Sequence, residues 1–266
     1  MTWDLKVKPY PVVSWAGSRY KISQKIRTKF PPDFGTYYEP MVGSASVFLK
    51  LKHDPAVIGD KNRWLMDTYW AIQDDYPGVV RILASLTPCR QVYNRVRQIN
   101  PEHVDVNFRA AHLIFLSRLC FGGVFRVNQR GEFNVPFGEP GLVYTEGNIR
   151  AVSQALNGVR LEYGDFEETI ASAQEKDFIY FDPPCPEKRA FGYHRNVGDT
   201  FGFTQKDYER LTAACIKLDQ RGVRWAVADN NTSFVRLALY KFNVIELTRS
   251  KQDNELHSVL ITNYPP

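Results

Sequence analysis

The sequence predicts an α/β fold built on a Rossmann-like sheet, interrupted by an inserted helical and β-hairpin region. Three observations carry this expectation. Short apolar runs recur and end in acids: Ala56-Val57-Ile58-Gly59-Asp60, residues 159–163 followed by Gly164-Asp165, and Phe178-Ile179-Tyr180-Phe181-Asp182. Helical patterns separate these runs, as parallel βαβ units require. Between residues 77 and 142 the alternation stops, and a glycine-rich segment with strand-like periodicity takes its place.

The elements follow in order. Residues 10–29 read as a short loop and then a helix carrying Ile22 and Ile26. Residues 37–49 read as a strand, a tight turn of small residues (Gly43, Ser44, Ala45, Ser46) and a helix. Small residues let the backbone approach a ligand closely, and a helix start offers free amides, so this turn is a candidate cofactor loop. It carries neither the Gly-Lys-Ser/Thr of a Walker loop nor the three-glycine dinucleotide fingerprint. Residues 56–60 read as the second strand, ending in Asp60 where an acid commonly holds a ribose hydroxyl. A helix over 62–72 follows. Within 77–142, alternation around Gln129-Arg130-Gly131 predicts a hairpin. A helix over 149–157 and a strand over 159–163 resume the α/β rhythm. Paired prolines, Pro183 and Pro184, stop the strand at 178–181 and leave Asp182 at the carboxyl edge of the sheet, where open α/β folds bind their ligands. A helix over 204–220, a strand over 223–228 and an antiparallel pair from 244–247 and 258–264 complete the pattern.

Composition narrows the function classes. The chain has 266 residues, 44% hydrophobic and 14% aromatic, enough for one α/β core plus an insertion. No apolar run approaches the ~18 residues of a membrane span, and the first residues lack a secretory pattern, so a soluble, cytoplasmic protein is expected. Cys89, Cys120, Cys185 and Cys215 form no C-x-x-C pair, which points away from a zinc site or a disulfide framework. No metal is expected. The histidines form no ligand pattern, and His112 reads as a structural residue of a helix. A net charge of +5 suits a polyanionic partner. Arg81, Arg90, Arg95, Arg97, Arg109, Arg118, Arg126 and Arg130 succeed one another with no lysine among them. Arginine is suited to bidentate contacts with phosphate and guanine, although solvated helix faces would look the same.

Taken together, these segments resemble the Dam-type (D12 class, alpha group) adenine-specific DNA methyltransferases, which use S-adenosylmethionine. Trp15-Ala16-Gly17-Ser18-Arg19 is similar to that family's W-A-G-G-K motif, and the segment from Glu39 through Ser46 to its E-P-F-x-G-x-G-S loop. Residues 126–138 are close to R-x-N-x-x-G-x-F-N-V-P-F-G, Gly164-Asp165-Phe166 matches G-D-F, and Asp182-Pro183-Pro184 matches the start of D-P-P-Y. The resemblance covers residues 15–264. It implies a class I methyltransferase sheet, with residues 1–76 and 143–266 as the S-adenosylmethionine-binding catalytic domain and 77–142 as the inserted DNA-recognition region. It further implies cofactor contacts from Trp15, Arg19, Glu39, Pro40, Gly43, Ser44, Ala45, Ser46, Asp60, Asp165, Phe166 and Asp182. Contacts with double-stranded DNA fall to Arg118, Arg126, Asn128, Arg130, Asn134 and Tyr193, and catalysis to Asp182, Pro183, Pro184 and Cys185.

The chemistry fits those residue types. Adenine's exocyclic amino group is a poor nucleophile because its lone pair is delocalised into the ring. By resemblance, Asp182 and the Pro183 carbonyl each accept a hydrogen bond from that amino group, favouring a tetrahedral nitrogen that attacks the sulfonium methyl group in line. The base must first leave the duplex, at a cost of a few kcal/mol. This sequence departs from the pattern at Ser18, Arg19, Ala45 and above all Cys185, which stands where an aromatic should stack on the base. Such a stack is worth roughly 1–3 kcal/mol. Three readings stay open here: an active enzyme whose stack comes from Phe191 or Tyr193, a weak or inactive DNA-binding homologue, or a cytosine-modifying variant built on Pro184-Cys185.

Overall fold

The computed structural model describes residues 7–128, 130–184, 203–229, 239–247 and 258–265. Cys185, Phe191, Tyr193 and His194 lie outside the described residues. In chain order the elements are α1 (Ser23–Arg27), β1 (Tyr37–Glu39), α2 (Phe48–Leu51), β2 (Ala56–Asp60), α3 (Arg63–Ala84), α4 (Arg90–Arg97), α5 (Val106–Leu119), α6 (Glu146–Leu156), β3 (Arg160–Tyr163), α7 (Phe166–Thr169), β4 (Phe178–Phe181), α8 (Gln205–Gln220), β5 (Arg224–Asp229), β6 (Asn243–Leu247) and β7 (Ser258–Thr262). The strands form one sheet in the order β3-β2-β1-β4-β5-β7-β6. Strands β1 to β5 run parallel, and β7 is antiparallel to both β5 and β6. This is the Rossmann-like sheet the sequence predicts, including its closing antiparallel pair.

Both faces of the central strands are covered, which explains why they read as continuous apolar runs. On one face Tyr37, Ile58, Phe178, Tyr180, Ala226 and Leu260 pack with residues of α3, α5 and α6. On the other, Tyr38, Val57, Ile179, Phe181, Trp225 and Ile261 pack against Phe166, Tyr208, Leu211 and Cys215 of α7 and α8. The period of two along each strand sorts the side chains between the two layers.

The helix expected to end near residue 72 runs on to Ala84. Pro77 lies inside the helix, and the chain kinks just before it, with Asp75 leaving helical geometry at φ −144°, ψ 61°. The Asp75 carboxylate then restarts it, accepting from Gly78 N at 3.0 Å and from Asn107 Nδ2 at 2.8 Å. A Cβ on Gly78 would sit 2.1 Å from Asp75 Oδ2, so this cap requires glycine. The helix therefore crosses residue 77 as one element with a kink. Helix α5 lies alongside it, tied by Trp64 Nε1 donating to Arg109 O at 2.7 Å and by an Arg109–Asp67 ion pair.

Candidate active site

Strand order reverses at β1, with β2 on one side and β4 on the other. Open α/β sheets bind ligands at such a switch point, outside the carboxyl ends of the strands. Four acids stand along that edge: Glu39 at the end of β1, Asp60 at the end of β2, Asp182 one residue past β4 and Asp229 at the end of β5. Among the described residues no group of three or more His, Cys, Asp or Glu is arranged to hold a metal ion.

The small-residue turn after β1 is pinned from beneath. Asp60 Oδ2 accepts from Gly43 N at 3.0 Å, its Oδ1 accepts from Asn62 N at 2.9 Å, and the Tyr69 hydroxyl donates to Gly43 O at 2.6 Å. Burial raises the Asp60 carboxyl, and these amides oppose that rise. Gly43 has φ 47°, and a Cβ there would meet the Trp15 ring at 3.1 Å, so glycine is needed for both conformation and space. Ser18 and Ser44 share a hydrogen bond of 2.7 Å between their hydroxyls. Ala45 also lies in the left-handed region, φ 56°, and is fully buried. The family's glycine at this position thus matches a real backbone demand, which alanine meets with strain.

Glu39 is 2% exposed. It accepts from the Tyr37 hydroxyl at 2.8 Å. Burial pushes its carboxyl up to about 8, the Tyr37 hydrogen bond opposing and the nearby Asp182 charge adding to the rise. Close by, Arg19 Nε donates to both oxygens of Asp182, at 2.9 and 3.2 Å. The Tyr180 hydroxyl is buried with no hydrogen-bond partner among the described residues. Pro184 O accepts from the Tyr208 hydroxyl at 2.7 Å, which fastens the exit of the Asp182-Pro183-Pro184 segment to α8.

Asp165 caps α7 through a capping box with Glu168. Its carboxylate also receives Arg210 of α8, at 2.5 and 3.2 Å, and the guanidinium lies 4.9 Å from the centre of the Phe166 ring. Arg210 additionally reaches Glu167 and Asp207. The sequence gives no motif for Arg210, Tyr208 or Ser258, and only the i,i+3 spacing of Asp207 and Arg210 hints at one of them; Asp229 reads from sequence as a strand-ending acid, and it does end β5.

Residues 15–252 match the family described as D12 class N6 adenine-specific DNA methyltransferase. The chain belongs to that family. Its reaction is methylation of adenine N6 in DNA, which sets aside the cytosine-modifying reading of Cys185. Relatives include the Type II methyltransferase M1.LlaDCHI of Lactococcus lactis subsp. cremoris, 30% identical over 97% of each chain. The Type II methyltransferase M.MjaIII of Methanocaldococcus jannaschii is 29% identical over 98% of this chain and all of its own. The DNA adenine methylase of Escherichia coli K12 is 26% identical, covering 91% of this chain and 89% of its own.

In this D12 methyltransferase the hairpin forms around Asn128, where the Val127–Phe133 bridge and the Asn128 N–Glu132 O bond of 2.9 Å close it. Phe133, Val135 and Phe137 point inward, and Tyr93 Oη and Arg97 Nη1 both donate to Val135 O, at 2.9 and 3.1 Å. The Trp15 and Phe125 rings stack at 5.1 Å, and Phe125 and Trp64 close on Phe133 at 5.8 and 6.4 Å. Hairpin and glycine turn are thereby parts of one packed unit. Arg126 donates to Asn134 Oδ1 at 2.7 Å, the Asn128 amide binds Glu132 at 2.6 Å, and Arg130 is exposed at the tip. Arg118 differs from the sequence expectation: it lies half-buried, its guanidinium on the carbonyls of Pro11 and Val12, where it fastens the amino-terminal segment to α5. Arg109 is likewise turned inward, to Asp67 and Pro101 O. Among the described residues the structure therefore divides the arginine series into exposed members (Arg81, Arg90, Arg95, Arg126, Arg130) and half-buried ones (Arg97, Arg109, Arg118). Among the described residues no helix is long and apolar enough to cross a membrane.

Proposed function

We propose that this methyltransferase moves the methyl group of S-adenosylmethionine to adenine N6 at a defined site in double-stranded DNA, after the base has left the helix. The observation that carries the reading is the convergence, at the β1/β4 crevice, of a glycine turn pinned by Asp60 and Tyr69 with the Asp182-Pro183-Pro184 segment. The residues present fit the cofactor. Gly43 is bare where a side chain would meet Trp15, Glu39 is a buried acid, and the Tyr180 hydroxyl is a buried group without a partner among the described residues. When bound, S-adenosylmethionine supplies a methyl group activated by its positively charged sulfur.

The chain's own residues do the rest. Glu39 and Asp60 hold the cofactor's polar parts, and Asp165 with Phe166 its adenine. The turn from Pro40 to Ser46 brings backbone close to it, and Trp15 covers that turn. Asp182 and the Pro183 carbonyl accept hydrogen bonds from the target amino group, orienting its nitrogen; as the N–C bond forms, the C–S bond breaks to leave a neutral thioether, and one amino proton is lost to solvent. Residues 77–142 form the recognition region, where Arg126, Asn128, Arg130 and Asn134 meet DNA. The test is incubation with labelled S-adenosylmethionine and mixed-sequence duplex DNA, followed by nucleoside analysis. Methylated adenine is expected from the wild type and none from Asp182→Ala, with DNA binding kept. Equal activity of the two proteins would sink the assignment of Asp182.

A further inference from the structure

The family motif that ends in lysine ends here in Arg19, and its side chain turns to the acid of the catalytic motif. Arg19 is 8% exposed. Beyond the two contacts of its Nε with Asp182, its Nη1 donates to Ser258 Oγ at 3.1 Å, at the start of β7. Asp229, at the end of β5, lies within its electrostatic reach. One guanidinium is thus held across the tips of β4, β5 and β7, three neighbouring strands of the sheet. Burial opposes its charge, and Asp182, Tyr180 and Asp229 together outweigh that opposition, so the side chain stays positive. A charge buried this deeply persists only with a well-placed partner. A carboxylate offers about four acceptor positions, so bonding to Arg19 and to an amino group are compatible.

We propose that Arg19 is a positioning residue for amino-group activation, holding the Asp182 carboxylate ionised and in one orientation for the incoming adenine. The inference rests on the role of Asp182 argued above, and it moves Arg19 from the cofactor contacts to the catalytic acid. The arrangement suits the chemistry: an acid that drifts or protonates accepts only a weaker, misdirected hydrogen bond from the amino group, and it is that bond which draws the nitrogen toward tetrahedral geometry and frees its lone pair. The other titratable groups facing the pair are Tyr180 on β4, Tyr37 and Glu39 on β1, and Asp229 on β5. Glu39 titrates on the alkaline side, so the diagnostic signal is the acid limb of the rate.

The test measures single-turnover methylation from about pH 5 to 9, together with cofactor affinity, for the wild type, Arg19→Met, Arg19→Lys and Asp182→Asn. Arg19→Met is expected to slow the step about 100-fold while cofactor affinity changes less than about threefold. Its acid limb should move up by about one pH unit or more, because the opposite charge is gone. Arg19→Lys should recover about tenfold of the lost rate and return the limb toward the wild type. A tenfold loss of cofactor affinity at an unchanged rate would overturn the proposal in favour of a cofactor contact. A slowed rate with an unmoved limb and no recovery by lysine would overturn it in favour of simple packing. If Arg19→Met does not fold, Arg19→Lys decides alone: about tenfold slower with affinity kept supports the proposal, and wild-type rate overturns it. Full activity of Asp182→Asn would instead remove the reading of Asp182 itself, whereas an inactive Asp182→Asn beside a fully active Arg19→Met removes only this inference.

Discussion

Glu39 holds a proton that the unfolded chain would release. Its folded value of about 8 stands against an ordinary value of 4.5, so between those pH values the folded state binds more protons and stability declines as pH rises. Denaturant titrations at about pH 5 and pH 8.5 should show the wild type losing about 1–3 kcal/mol across that window, while Glu39→Gln, which keeps the shape and the Tyr37 hydrogen bond, stays nearly flat. The sequence makes Glu39, Asp60 and Asp182 legible because each ends an apolar run, and a strand's end fixes where its acid stands. It does not reveal Arg19's partner, because that contact joins positions 163 apart and the local motif points to the cofactor. Nor can it give the sign of a dihedral: that Ala45 sits at positive φ is a property of the turn, known only once the turn is built.

At the scale of elements, α3 shows how a breaker can be overridden. Pro77 reads as a stop because its ring clashes with a continuing turn, yet Asp75 re-caps the chain and a glycine at 78 leaves room for that carboxylate. Asp75→Ala should therefore cost about 1 kcal/mol in urea denaturation and leave the turn at Gly43 unaffected, because that turn is pinned by other residues. The strands are legible because, buried on two faces, they are apolar throughout. The hairpin is legible too, from alternation broken at Gly131. Residues 77–142 as a whole are harder to read, since α5 packs chiefly along α3 and α4 packs on α5, and nothing in the local pattern names those partners.

For the whole molecule, a modest net charge is distributed unevenly in use. Arg118 and Arg109 spend their guanidinium groups on the protein's own carbonyls and carboxylate, whereas Arg130 stands exposed at the hairpin tip. Binding to duplex DNA measured against salt should separate the two uses. Arg130→Ala is expected to lower the slope of log affinity against log salt by about 1, across all sequences, while Arg118→Ala lowers stability and leaves the slope alone.

The central strand β1 takes one neighbour, β2, from the sequence just after it, and the other, β4, from far downstream. During synthesis the glycine turn emerges from the ribosome early, and the acid that must face it arrives 163 residues after Arg19. At ~5–20 residues per second that interval is roughly ten to thirty seconds. Throughout it Arg19 lacks the carboxylate that holds its guanidinium in the folded protein. The contacts that hold Arg19 are complete only after β4 and then β7, with Ser258, have been made.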